Sequence, residues 1–204
     1  MRKPCRRTRG FTLIELLVVI TIIGILAGLA FPAISGAMNA ARKAEAGAMI
    51  SQLRTALSSY QTEYGVYPDA LRDTSATPGD YKECSSGEES LYNALIAKKT
   101  GSSFPSDNVR GIVFMEFNAK VLREQVGATY KLPPTDTSSA KAFVDPWSQP
   151  YFFRADADYD NKIASPISGD VNSGLIIWSP GIQKGGYVST PTGGDKTKYL
   201  CSWK

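Results

Sequence analysis

Between Phe11 and Ile34 the chain carries one charged residue, Glu15, and no Lys, Arg or Asp. Within that stretch Leu16 to Ile34 is 19 residues, nearly all apolar, Gly or Ala, close to the roughly 20 that a helix needs to cross a bilayer. The ten residues before it hold Arg2, Lys3, Arg6, Arg7 and Arg9 and no acid. A basic leader stays on the cytoplasmic side of a membrane, which puts everything after Ile34 on the other side. A buried core helix would give that leader no role.

Two plainer readings stand beside a spanning helix with a task for its carboxylate. One is a secretory signal peptide, with the small residues Gly28 and Ala30 ahead of a cut before Phe31. The other is a simple anchor in which Glu15 has no function. A carboxylate inside a spanning segment is costly, about 2.5–3.5 kcal/mol for Asp at a helix centre, so by default it marks a functional site.

A length of 204 residues, 43% of them hydrophobic, predicts one or two domains able to bury a core. No histidine is present, which removes Ser-His-Asp and Cys-His catalysis and imidazole-ligated zinc. Neither G-x-G-x-x-G nor G-x-x-x-x-G-K-[ST] occurs, and no nucleophile has an identifiable base. The net charge of +4 sits in the leader: without its five cations the chain has 18 basic and 19 acidic residues. A nucleic-acid partner loses its main support.

Beyond Pro32 an apolar pattern at three- to four-residue spacing continues the helix: Ile34, Met38, Ala41, Ala48, Met49, Leu53, Ala56, Leu57, Tyr60 and Tyr64. Pro32 lacks an N–H and is expected to kink the helix; Gly65 and Pro68 end it. From Phe11 to Tyr64 such a helix is about 80 Å long. Ser86 to Gly101 reads as a short capped helix, with acids at its start and Lys98 and Lys99 at its end. Ile112–Phe117, Tyr151–Arg154 and Leu175–Trp178 read as strands, and Asp145-Pro146 as a turn with Trp147 in the core. The expected class is α+β, a long helix packed on a small antiparallel sheet. Residues 69–142 carry no recognisable motif.

Gly10-Phe11-Thr12-Leu13-Ile14-Glu15 behind a basic leader, with Pro32 22 residues into the processed chain, resembles the processing site of the type IV pilin and type II secretion pseudopilin superfamily. Tyr64-Gly65-Val66-Tyr67-Pro68, Asp145-Pro146-Trp147-Ser148-Gln149-Pro150-Tyr151, and Ser179-Pro180-Gly181 with a Gly-rich loop and Trp203 look like segments of the major pseudopilin of type II secretion. The resemblance covers roughly residues 1–68 and 143–204, with 69–142 as an atypical insertion.

It implies that a prepilin peptidase cuts between Gly10 and Phe11 and methylates the new amine of Phe11. It also implies a leader at 1–10, a membrane and assembly segment at 11–34, and a periplasmic domain at 35–204 anchored to the inner membrane by one span. The product is then a non-enzymatic subunit of a periplasmic filament. Its partners are copies of itself, minor pseudopilins, the peptidase and an inner-membrane assembly platform, and its task is moving folded proteins out of the cell. A type IV pilin is the alternative. A carboxylate at Glu15, four residues from the new terminus, can pair with the amine of a neighbouring subunit in a low dielectric.

The family often holds calcium in its C-terminal loop. Here Ser179 to Trp203 contains one acid, Asp195, a sparse start for an ion that takes six to eight oxygens. Asp156-x-Asp158-x-Asp160-Asn161 copies the opening of an EF-hand loop, but Ile167 stands where the bidentate Glu belongs. Removal of the leader discards Cys5 and leaves Cys84 and Cys201, a candidate disulfide in an oxidising compartment; two unbonded thiols are the competing reading.

Overall fold

The computed structural model describes residues 11–72, 81–85, 89–99, 101–126, 129–131, 140–167, 169–183 and 195–203. The chain divides into two units, Met1–Ala41 and Arg42–Lys204. Helix α1, Leu13–Tyr64, contributes to both. It is helical through position 32, while the side chains of residues 30–33 lie outside the description.

In the first unit α1 is a bare apolar rod. Every described large apolar residue from Leu13 to Leu29 is exposed, at 46–82% of its surface. It is also the one described helix long and apolar enough to cross a membrane. Such a surface is stable in lipid or against other helices and unstable in water.

In the second unit α1 becomes amphipathic. Ala46, Ile50, Leu53, Ala56, Leu57 and Tyr60 are buried, the spacing of one helical face. The buried face differs from the expected one at its start: Met38, Ala41 and Ala48 are exposed, and burial begins at Ala46. Gly65 ends the helix at φ +76°, donating its N–H to the carbonyl of Gln61 at 2.8 Å. A left-handed residue just past the last turn is where glycine costs least.

Among the described residues nine strands and a second helix follow: β1 Tyr81–Ser85, α2 Glu89–Ile96, β2 Leu122–Val126, β3 Thr129–Lys131, β4 Ala140–Phe143, β5 Phe152–Asp156, β6 Lys162–Ala164, β7 Asp170–Asn172, β8 Leu175–Ser179 and β9 Leu200–Cys201. They form a four-stranded sheet in the order β1-β5-β8-β9, a three-stranded sheet β3-β2-β4 and the hairpin β6-β7, all antiparallel.

Both β5 and β8 are buried at all five positions because the four-stranded sheet is covered on both faces. Phe153, Ala155, Leu175 and Ile177 pack with Ile50, Leu53 and Leu57 of α1 and Leu91 and Leu95 of α2. Phe152, Ile176 and Trp178 face the other way, onto Ile163 and Tyr199. The α+β class and the strands around residues 151–154 and 175–178 are as the sequence predicts. Ile112–Phe117 is different: it enters no strand ladder. Its Phe114 and Met115 N–H groups both reach the carbonyl of Leu95, so the segment packs along the end of α2 instead of joining a sheet.

Candidate functional site

Phe11 and Thr12 are non-helical and α1 starts at Leu13. The helix start is built by two side chains. The Glu15 carboxylate Oε2 accepts the Thr12 N–H at 2.8 Å and the Thr12 hydroxyl at 2.7 Å. The Thr12 Oγ1 in turn accepts the Glu15 N–H at 3.3 Å. This is a capping box, Thr at the N-cap and Glu at the third helical position, each satisfying a backbone donor that the helix leaves open. The anion also sits at the positive end of the helix dipole.

The sequence reading assigned Glu15 a partner in another subunit only. The signal for its own partner, Thr-x-x-Glu ahead of an apolar run, stood in Thr12–Glu15, and Thr12 is the residue that reading missed. Phe11, 77% exposed, and Glu15 are thus presented together at the head of the apolar rod. Gly10 lies outside the described residues.

A second polar constellation sits in the core of the other unit. Asp145 is 2% exposed. Its Oδ1 accepts the N–H of Trp147 at 2.9 Å and of Gln149 at 2.7 Å, and its Oδ2 accepts the Ser179 hydroxyl. Ser179 Oγ accepts the N–H of Gly181 at 3.0 Å, so one carboxylate ties the 145–149 turn to the end of β8. Burial pushes the Asp145 carboxyl up to about 6, against the hydrogen bonds from Ser179, Gln149 and Trp147 and the charge of Arg123. Burial also brings the Arg123 guanidinium down to about 10. Trp147, expected in the core, is only half-buried, while Trp178 is fully buried. The node has the geometry of a structural clamp, since Asp145 and Ser179 are both sealed in the core, at 2% and 0% exposure.

The candidate disulfide is not formed, and both cysteines are thiols. Cys84 lies on β1 opposite Phe153, and Cys201 on β9 opposite Trp178. With β5 and β8 between them, the two strands are about 14 Å apart, against the 4.4–6.8 Å Cα separation a disulfide needs. They also belong to opposite faces, Cys84 with the α1 side and Cys201 with Trp178.

Asp195 caps the short turn Lys196–Lys198, its Oδ1 accepting the Thr197 N–H at 3.0 Å and hydroxyl at 2.7 Å. The Gly-rich stretch 184–194 lies outside the described residues. Among those described, Asp156, Asp158 and Asp160 are the one group of three possible metal-ligating side chains, with ligand atoms within 4.8 Å of one another. Asp156 holds the N–H groups of Tyr159 and Asn161 at 2.7 and 2.8 Å, and Asp158 and Asp160 each hold the N–H two residues on. Three carboxylates occupied by their own turn fall short of the calcium shell.

Residues 5–31 match the prokaryotic N-terminal methylation motif. The chain is 33% identical over 107 residues to the type IV major pilin protein PilE1 of Neisseria gonorrhoeae, covering 50% of this chain and 58% of that one. It is 36% identical over 89 residues to the type II secretion system core protein G of Vibrio cholerae, covering 40% and 61%. It is 43% identical over 63 residues to the core protein G of Dickeya chrysanthemi, covering 31% and 41%. The chain thus spans less than two thirds of these relatives' length. No solved structure matches it. One long apolar N-terminal helix whose start carries the methylation motif fits a single-pass, membrane-anchored protein. Motif, helix, antiparallel sheet and relatives together support the type IV pilin-like superfamily for this chain.

Proposed function

We propose that the chain is a pseudopilin, a non-catalytic subunit of the periplasmic filament of a type II protein secretion system. The observation that carries this reading is the head of α1: an exposed apolar rod with its only carboxylate in the first turn, lying within the methylation motif. In this reading the peptidase removes residues 1–10, methylates Phe11 and leaves Glu15 four residues from the new amine. Residues 11–34 hold the subunit in the inner membrane and then form the filament core. The rest lies in the periplasm, where minor pseudopilins and the assembly platform are its partners. The Thr12 cap keeps the carboxylate hydrogen-bonded until the amine of a neighbour replaces it. The relatives named core protein G and the segments around residues 64–68 and 145–151 favour secretion.

A type IV pilin is the second reading, favoured by the longer match to the gonococcal pilin. Deletion of the gene separates them. The first predicts that folded proteins disappear from the culture medium while surface fibres persist; loss of fibres with normal export supports the second and overturns the first.

A further inference from the structure

From Leu16 to Ala41 the chain runs 26 residues without an Asp, Glu, Lys or Arg, and Arg42 and Lys43 are the first charges after Glu15. As helix that stretch is about 39 Å long. The hydrocarbon core of a bilayer is roughly 30 Å thick, and the whole bilayer with its headgroup layers about 40–45 Å. The charge-free length therefore matches the full bilayer, which puts Arg42 and Lys43 at its far headgroups. Residues 34–45 of α1 are exposed throughout. Arg42 and Lys43 make no hydrogen bond or ion pair among the described residues, although Glu45 is three positions from Arg42. They lie one turn ahead of Ala46, the first buried residue of α1 among those described. Two cations just beyond the far end of a span run against the bias that keeps basic residues cytoplasmic.

We propose that Arg42 and Lys43 bind the phosphates of anionic phospholipids in the outer leaflet of the inner membrane and so fix the depth of α1. The inference rests on the membrane-held, processed subunit proposed above. Removing residues 1–10 takes five cations from the cytoplasmic end and leaves Glu15 as the only charged side chain before Arg42. The pair at 42 and 43 is then the nearest cationic anchor that the spanning segment has. Both side chains can bend back toward the bilayer, with their stems along its apolar edge and their charges in the headgroup layer. The Arg42 guanidinium matches a phosphate with two parallel N–H groups, while Lys43 acts as a point charge. A net anionic headgroup such as phosphatidylglycerol is preferred over phosphatidylcholine, whose own ammonium neutralises its phosphate. The contact belongs to the subunit before assembly, so it stands whether the filament is a pseudopilus or a pilus.

The test is native mass spectrometry of the full chain released from nanodiscs of equal phosphatidylglycerol and phosphatidylcholine. Arg42→Gln and Lys43→Gln should each lower the ratio of retained phosphatidylglycerol to phosphatidylcholine about fivefold, and the two together about thirtyfold. The leader is the same in every variant, so its own cations cancel from the comparison. Arg54→Gln removes the next cation of α1, 12 residues further on, and should leave the ratio as it is. An inserted chain whose ratio is unchanged in the double variant, or falls as far in Arg54→Gln, overturns the lipid contact and leaves the membrane anchor standing. A chain that does not enter the nanodiscs overturns both.

Discussion

Replacing Asp145 by Ala removes the acceptor for three donors, the N–H groups of Trp147 and Gln149 and the hydroxyl of Ser179. The Ser179 hydroxyl can turn elsewhere; the two amides are fixed by the turn. Two stranded donors at about 1–3 kcal/mol each, with Arg123 losing its facing carboxylate, give a loss of about 3–5 kcal/mol. Asp145→Asn separates shape from charge. Its carbonyl keeps both amides, and its NH₂ donates to Ser179 Oγ, whose second lone pair still takes the Gly181 N–H. This variant should be as stable as the wild type at pH 7.5, or more so.

The two also differ in pH dependence. The Asp145 carboxyl titrates at about 6 in the folded chain, against about 3.9 unfolded. A raised carboxyl means the folded chain binds the proton that the unfolded chain releases. Asp145 therefore adds stability below about pH 4 and loses it as pH rises through about 6, a change of about 2–3 kcal/mol. Urea unfolding of the detergent-solubilised chain, read by Trp147, Trp178 and Trp203, at pH 4.5 and 7.5 measures this. The difference between the two pH values should shrink by about 2 kcal/mol in Asp145→Asn. An unchanged pH difference in Asp145→Asn, or an Asp145→Ala variant within about 1 kcal/mol of wild type, refutes the clamp.

Other expectations follow from the same structure. Leu53→Ala or Leu57→Ala, each at a fully buried site between α1 and the sheet, should cost about 2–5 kcal/mol in the same unfolding assay. Thr12→Val removes the hydroxyl half of the capping box and should speed amide exchange over residues 13–16 in detergent, with the later turns of α1 unaffected. Glu15→Leu should still be inserted and processed but assemble poorly; normal filament yield contradicts the role given to its charge. Mass spectrometry after alkylation under denaturing, non-reducing conditions should find Cys84 and Cys201 both modified and no peptide joining them.

Where one physical signal dominated, the sequence was legible. The apolar run up to Ile34 with one carboxylate can be little other than a membrane-compatible helix, and it is one. Phe152 and Trp178 sit in short β-branched and aromatic runs between turn residues, and both are in strands. Three things were hidden because they depend on what the chain brings together. Ile112–Phe117 has strand composition, but the Leu95 carbonyl at the end of α2 takes two of its amides and keeps it out of a sheet. Cys84 and Cys201 had a plausible compartment for bonding, yet strand order β1-β5-β8-β9 separates them, and spacing along the chain holds no record of strand order. Asp145 read as a turn residue; only the fold brings Ser179 and Arg123 to it and makes it a buried carboxylate. Thr12 is a different case, since its motif was visible beside the more conspicuous Glu15.

Mass spectrometry of the N-terminal peptide of the chain isolated from its native membrane tests the central claim most directly. The account predicts a chain beginning at Phe11 with a methylated amine and Glu15 five residues in. A chain beginning at Phe31 would mean ordinary secretion, an intact Met1 leader would mean a simple anchor, and either result contradicts a processed pilin-like subunit.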